Sequence, residues 1–277
     1  GRCGPEGSLG ADRLAPALGA AVLLVTVAVW ARAVSRGGLG SFPAWRAAAF
    51  AAGIAAVGVT VLSPLDDWGR RDLVLAQIAQ HIVLGDVAAP LLLLGLPTLA
   101  RRRLRELLER PRTSALGRLV GGVFTPVGAV VVWAGVTYVW FVPAVHIRSV
   151  PAGPVHLLDH ASFLLLGLLV WLPAFDPRPA RAAEAALTSG GLPWWGRHLY
   201  AMIARVAMLP PAFALWLGSP ESWHRQEQLP FGFSPKRDQV AAASTMVGFE
   251  MILFALAIVL GFIFLSVSEG HRRTAAG

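Results

Sequence analysis

The sequence predicts an all-α polytopic membrane protein: a bundle of seven transmembrane helices with the N-terminus outside and the C-terminus in the cytoplasm. Three observations lead there. Of 277 residues, 55% are hydrophobic and 14% charged, against about 25% charged in soluble domains, so too little charge is present to cover a water-exposed surface. Ten Trp, 29 Gly and 20 Pro fit helices anchored at membrane interfaces and tolerant of Gly and Pro inside them. Finally, seven segments approach the ~20 mostly apolar residues that a spanning helix needs. Mean hydropathy is +0.60, and an ordinary cytosolic enzyme is excluded.

The seven expected spans are Ala15–Val34, Ala44–Leu62, Leu73–Pro97, Val123–Val142, His156–Pro173, Leu199–Leu217 and Gln239–Val267. The first, second, fourth and seventh are plainly apolar. The third carries Gln77, Gln80, His81 and Asp86 but is too leucine-rich for a loop. The connections are too short for a soluble domain, and neither repeats nor low-complexity segments interrupt the chain. The organisation is therefore an N-terminal extracytoplasmic segment 1–14, one transmembrane domain 15–267 and a cytoplasmic tail 268–277.

Loop arginines set the orientation. Arg32, Arg36 and Arg46, the seven arginines from Arg101 to Arg118, Arg178, Arg181 and Arg197, and Arg272 and Arg273 all fall on one side of the spans. That makes 15 basic residues there against eight opposite, and the richer side is cytoplasmic. The net charge of +8 is thus a topology signal rather than a nucleic-acid footprint. The single Cys3 permits neither an intrachain disulfide nor a CxxC site.

Polar groups inside a bilayer cost about 2.5–3.5 kcal/mol each on insertion scales, so each needs a reason. His81, His146, His156, His160 and His224 fall on or near the outer side, and only His198 and His271 on the cytoplasmic side. His156 and His160 are one helical turn apart, so both imidazoles leave one face, the spacing of two ligands on one metal ion. Counting rise per residue, His160 lies ~6 Å and His81 ~12 Å below the outer ends of their helices. Three imidazoles can therefore converge, and Gln77 shares the face of His81. Met246 lies ~10 Å in, at a similar depth; thioether with imidazole suits Cu(I), although Met is also a common gap-filler. The competing explanation is that these histidines only hydrogen-bond between helices.

Asp86 and Arg205 each lie ~10 Å from the cytoplasmic side, which predicts a buried ion pair clamping the third helix to the sixth. Pro90 removes the backbone donor opposite residue 86, which predicts a kink at Asp86. Glu250, near mid-membrane, is expected to make an interhelical hydrogen bond. The only lysine, Lys236, lies outside the seventh span, which excludes a retinal protein. P-loop, GxGxxG and HExxH motifs are absent from the sequence.

The run Ser63-Pro64-Leu65, then Gln80-His81, then Ala89-Pro90 followed by four leucines and Gly95-Leu96-Pro97 resembles the CtaG-type cytochrome c oxidase assembly family of bacterial membranes. Trp140 with Pro143, His156-x-x-Asp-His160 with Phe163, Trp171-Leu172-Pro173, and Asp238-Gln239 with Met246 continue the match. It covers roughly Leu62 to Met251 and is most specific in the third and fifth helices. The resemblance implies a non-enzymatic, multi-pass factor of the bacterial plasma membrane that helps build haem–copper oxidase and assists copper delivery at the outer face. The partners it implies are oxidase subunits, the lipid bilayer and a copper donor protein, with no nucleic acid. His81, His156, His160 and Met246 become the candidate copper positions. Three positions depart from the family pattern. Phe141 stands where a His is expected, and His146 is the nearby substitute; Asp86 replaces an apolar residue and Val247 a tryptophan. Two alternatives stay open. One is a cytochrome b-like electron-transfer protein with His81 and His156 or His160 as axial haem ligands. The other is a scaffold or permease, although inverted repeats are lacking.

Overall fold

In a bilayer a short apolar segment satisfies its own backbone only as a helix. The computed structural model describes residues 8–37, 42–151 and 153–276, and among them every regular element is helical. Arg2, Cys3 and the expected outer segment up to residue 7 fall outside the described residues, as do the side chains of Arg272 and Arg273. The long helices are α1 (Ser8–Gly37) and α2 (Ala44–Leu62); α3 (Pro64–Arg70) is a short helix that follows α2. Next come α4 (Val74–Ile82), α5 (Ala89–Leu94), the arginine-rich α6 (Thr98–Glu109), α7 (Ala115–Val123), α8 (Pro126–Trp140) and α9 (Pro143–Ser149). The chain continues with α10 (Pro154–Trp171), α11 (Ala183–Ser189), α12 (Trp194–Val206), α13 (Leu209–Leu217) and α14 (Pro235–Ala276).

Among the described residues, five segments are long and apolar enough to cross a membrane: Ala44–Leu62, Val74–Leu94, Pro154–Ala174, Trp194–Leu217 and Pro235–Ile263. A sixth is bent, because α7 meets α8 at 78°. Straight helix was expected from Val123, but Thr125 takes the cap position of α8, its hydroxyl accepting from the Gly128 N–H, and Pro126 cannot continue α7. The expected span Leu199–Leu217 also differs. It begins earlier, at Trp194, and breaks at Ala207–Met208, just ahead of Pro210 and Pro211. The Tyr138 hydroxyl, on α8, donates to the Ala207 carbonyl at this break. The first expected span lies within the 30 residues of α1.

The centre of the bundle is the α4–α5 segment, which packs on α2, α10 and α14. Between α4 and α5 the chain takes a π-helical turn, Val83–Ala88. Pro90 has no N–H for the Asp86 carbonyl, and the wider turn absorbs that defect where a kink was expected. A Cβ on Gly167 of α10 would lie 2.5 Å from the Gly85 carbonyl oxygen, so these two backbones touch, as small residues permit in membrane bundles.

The wide turn also aims Asp86 at Arg205. Arg205, 2% exposed, pairs through Nη1 with the Asp86 carboxylate and with Glu250 Oε2 at 3.4 Å. Trp133 and Trp171 cover its guanidinium at 4.8 and 5.0 Å from their ring centroids. Trp171 Nε1 donates to Asp86 at 3.1 Å. One cation therefore ties together α12, the π-turn, α14, α8 and α10. The expected clamp between Asp86 and Arg205 is present, with Glu250 as a third member.

At the other end of α4, the Asp238 carboxylate accepts from the Val74 and Leu75 N–H groups at 2.7 and 3.1 Å and from His224 Nε2 at 2.9 Å. This fastens the α13–α14 loop over the bundle. Burial works against protonation of His224, but its hydrogen bonds to Asp238 and the Pro220 carbonyl and the nearby carboxylates outweigh it, raising its pKa above 6.5.

Two outcomes follow for protein in mild detergent. Arg205→Leu strands two carboxylates and costs about 3–5 kcal/mol, read as a lowered unfolding temperature; adding Asp86→Asn and Glu250→Gln recovers part of that loss. Wild-type stability equal to that of Arg205→Leu would dismiss the clamp. Because the folded His224 binds its proton more tightly than the unfolded chain, its contribution is complete below about pH 6.5 and is lost as pH rises through the raised folded value. The stability gap between wild type and His224→Gln therefore shrinks as pH rises above about 6.5.

Candidate metal centre

Pro154 starts α10, and two residues later the helix presents His156 and, one turn on, His160, 8% and 4% exposed. Their ring centroids lie 4.3 Å apart. Ser63 caps α3, its hydroxyl accepting from the Leu65 N–H, which places Asp66 on the first turn facing α10. Asp66 Oδ1 lies 2.9 Å from His156 Nε2, and Asp66 Oδ2 is 3.0 Å from Arg70 Nε. Burial raises the Asp66 pKa, but the His156 hydrogen bond and charge, with Arg70, hold it below the usual carboxylate range. Asp66, His156 and His160 each offer a ligand atom, all within 4.8 Å of one another.

His81 reaches this cluster from α4. Its ring lies 5.9 Å from that of His160 and stacks on Phe163 at 3.7 Å, while Nε2 is 3.0 Å from Asp159 Oδ2. In each of the three histidines, one ring nitrogen is therefore tied to a fixed group. His156 Nδ1 meets the Ser149 carbonyl at 2.8 Å, His160 Nδ1 the His156 carbonyl at 3.0 Å, and His81 the Asp159 carboxylate. This is how histidines that ligate metals are oriented.

The consequences fall on the opposite nitrogens. A carbonyl partner requires His160 Nδ1 to carry the proton, so Nε2 has a bare lone pair, and it is buried without a hydrogen-bond partner; His81 Nδ1 is buried and unpartnered too. His156 donates from Nδ1 to Ser149, which leaves its Nε2 lone pair facing the Asp66 carboxylate. Two lone pairs at that distance repel, so a cation, either a proton or a metal ion, must lie between them. Orphaned imidazole nitrogens beside a carboxylate fit a transition-metal ion.

The sequence candidates divide. His81, His156 and His160 come together. Met246 lies deeper and shares with His81 a small internal cavity that also meets Met208, Thr137, Asp86 and Glu250. His146, on α9, packs its ring against Trp223 at 5.3 Å; its Nε2 is buried without a hydrogen-bond partner, but it is not among the converging ligand atoms of Asp66, His156 and His160. Sequence reasoning missed both carboxylates. Asp159 sits inside the His156-x-x-Asp-His160 run, and Asp66 follows the Ser63-Pro64-Leu65 run. A rule that every ligating histidine needs an acid or a carbonyl behind it would have found Asp159.

A family model described as cytochrome c oxidase caa3 assembly factor (Caa3_CtaG) matches residues 23–267. No curated protein matches the chain, and neither does any solved structure.

Burial, with the charge of His81, pushes the His146 pKa down to about 4. The unfolded chain binds that proton more readily, so the structure loses stability as pH falls from about 6.5 towards 4. His146→Phe should flatten this acid limb of the melting profile, and an unchanged limb would contradict the assignment.

Proposed function

The chain belongs to the family of cytochrome c oxidase caa3 assembly factors, and from that premise we propose that it serves oxidase assembly by holding copper at the His/Asp end of its bundle. The family supplies the assembly role, and the oxidase subunits are the partners that role requires. The finer reading concerns the copper. His156, His160 and Asp66 receive the ion, with His81 as the neighbouring ligand. Met246 and Met208, beside His81, offer the softer thioethers that suit Cu(I). Copper is the cargo here, carried and released without catalysis.

The observation that carries this reading is the buried, unpartnered Nε2 of His160, whose tautomer is fixed by the carbonyl on its other side. What singles it out is its place within 4.8 Å of ligand atoms on His156 and Asp66.

We read the bundle as seven spans in a bacterial plasma membrane, N-terminus outside. Five span-length segments, the bent α7–α8 pair and the 30-residue α1 support the number, and the loop arginines support the orientation. The histidine cluster then lies at the outer face, where a copper donor protein can reach it.

Purified protein should bind about one Cu(I), and His156→Ala with His160→Ala should weaken it by at least ~100-fold, more than the 10–100-fold typical of an outer-shell partner such as Asp159→Asn. Membranes from cells carrying the double variant should contain oxidase deficient in copper. Full copper in that oxidase would overturn the delivery role, and a Soret band in the purified protein would replace copper with haem.

A further inference from the structure

The opposite end of the bundle carries a second site, built from arginine. A polar pocket of about 340 Å³ opens between the end of α6, α7, the start of α8 and α11, and Arg110, Arg112, Arg118, Arg178 and Arg181 line it. Two of the charges around it are already answered. Buried Arg178 is paired with Asp176, Nη2 to Oδ2 at 2.6 Å, and Glu109 is paired with Arg105 at 3.1 Å. Arg110, Arg112, Arg118 and Arg181 have no carboxylate within ion-pair distance among the described residues.

These side chains are also placed. Arg118 Nη1 donates to the Thr113 carbonyl at 2.7 Å, and Arg181 Nη1 to the Ser189 hydroxyl at 3.1 Å. The Arg112 guanidinium lies across Gly121, where a Cβ would come within 2.4 Å of it. Gly190, at φ +83° in a conformation that glycine adopts readily, leaves room for the Arg178 guanidinium, which a Cβ there would strike. Four unneutralised guanidiniums around one pocket form an anion site, and guanidinium is the side chain best shaped for phosphate.

Beside it runs a groove of about 380 Å³ between α8, α11 and α12, lined by Pro126, Val131, Leu187, Trp195, Leu199 and Ile203 among others. The two cavities adjoin: Thr125 lines the first and Pro126 the second, Thr188 the first and Leu187 the second. A phosphate-binding head beside an apolar trough on the membrane-facing surface matches one class of ligand. We propose that this end binds an anionic phospholipid, its phosphate among Arg110, Arg112, Arg118 and Arg181 and an acyl chain along the α8–α11–α12 groove. Basic pockets between helices on the cytoplasmic side hold acidic lipid headgroups by this chemistry. The bent α7, with exposed Leu116 and Leu119, lies alongside at the membrane boundary.

The test is binding of phosphatidylglycerol, against phosphatidylcholine, to the detergent-purified full chain, read by lipid retention in native mass spectrometry and by thermal shift. Retention should favour phosphatidylglycerol. Each arginine near an anionic lipid is worth about a factor of five, so Arg112→Gln with Arg118→Gln should cut that preference by about 30-fold, whereas Arg101→Gln with Arg102→Gln should leave it. Should the double arginine variant misfold, Leu187→Trp, which fills the groove and keeps every charge, should displace the lipid by itself. Equal retention of phosphatidylcholine would overturn the proposal. So would an equal loss in the Arg101/Arg102 variant, which would reduce the effect to net charge. Full competition by inorganic phosphate would do the same, since it would make the ligand a free anion.

Discussion

The structure depends on a buried cation. Arg205 sits among α8, α10, α12, α14 and the π-turn, and water cannot solvate it there. Its charge must be met by protein, and Asp86 with Glu250 meets it. The wide turn at Val83–Ala88 turns Asp86 to face it, and Pro90 explains why the wide turn lies there. Trp133 and Trp171 close the guanidinium faces. The cavity above this cluster also touches His81 and Met246, so the clamp forms the floor beneath the histidines. A rigid floor keeps α4 and α10 in register, and that register brings His81 to His160.

At the histidine end of the bundle the same constraint takes another form. Buried imidazoles need partners, and here each has one fixed partner and one open or carboxylate-facing nitrogen. A bundle stabilised only by interhelical hydrogen bonds would satisfy both. The arrangement instead resembles a coordination shell with its second layer in place: Ser149 behind His156, the His156 carbonyl behind His160, Asp159 behind His81. Membership of an oxidase assembly family is why copper is the cargo proposed for it.

Much of the fold was legible in the sequence because a bilayer leaves few choices: apolar segments of span length must be helices, and intramembrane charges must pair. The Asp86–Arg205 contact followed from matching depths, and the disturbed turn at Asp86 from Pro90. The spacing of His156 and His160 placed their rings side by side. Proline and capping geometry were harder to read. Pro126 after Thr125 bends α7 from α8, and Pro210 with Pro211 splits α12 from α13, yet hydropathy runs smoothly through both. The carboxylates behind the histidines escaped because Asp66 is 90 residues from its partner His156, a pairing set by where α3 is held on α2 and α4. Met246 matched His81 in depth, but depth alone did not show that it lies along a deeper cavity than the His156–His160 pair.

The proposed copper site stands or falls on imidazole nitrogens at this end of the bundle binding the ion. X-ray absorption at the copper edge of the Cu(I)-loaded protein tests it most directly. The copper should be bound by at least two imidazole nitrogens, recognisable by outer-shell scattering from the rings. A shell of sulfur alone, or one without imidazole scattering, would contradict it.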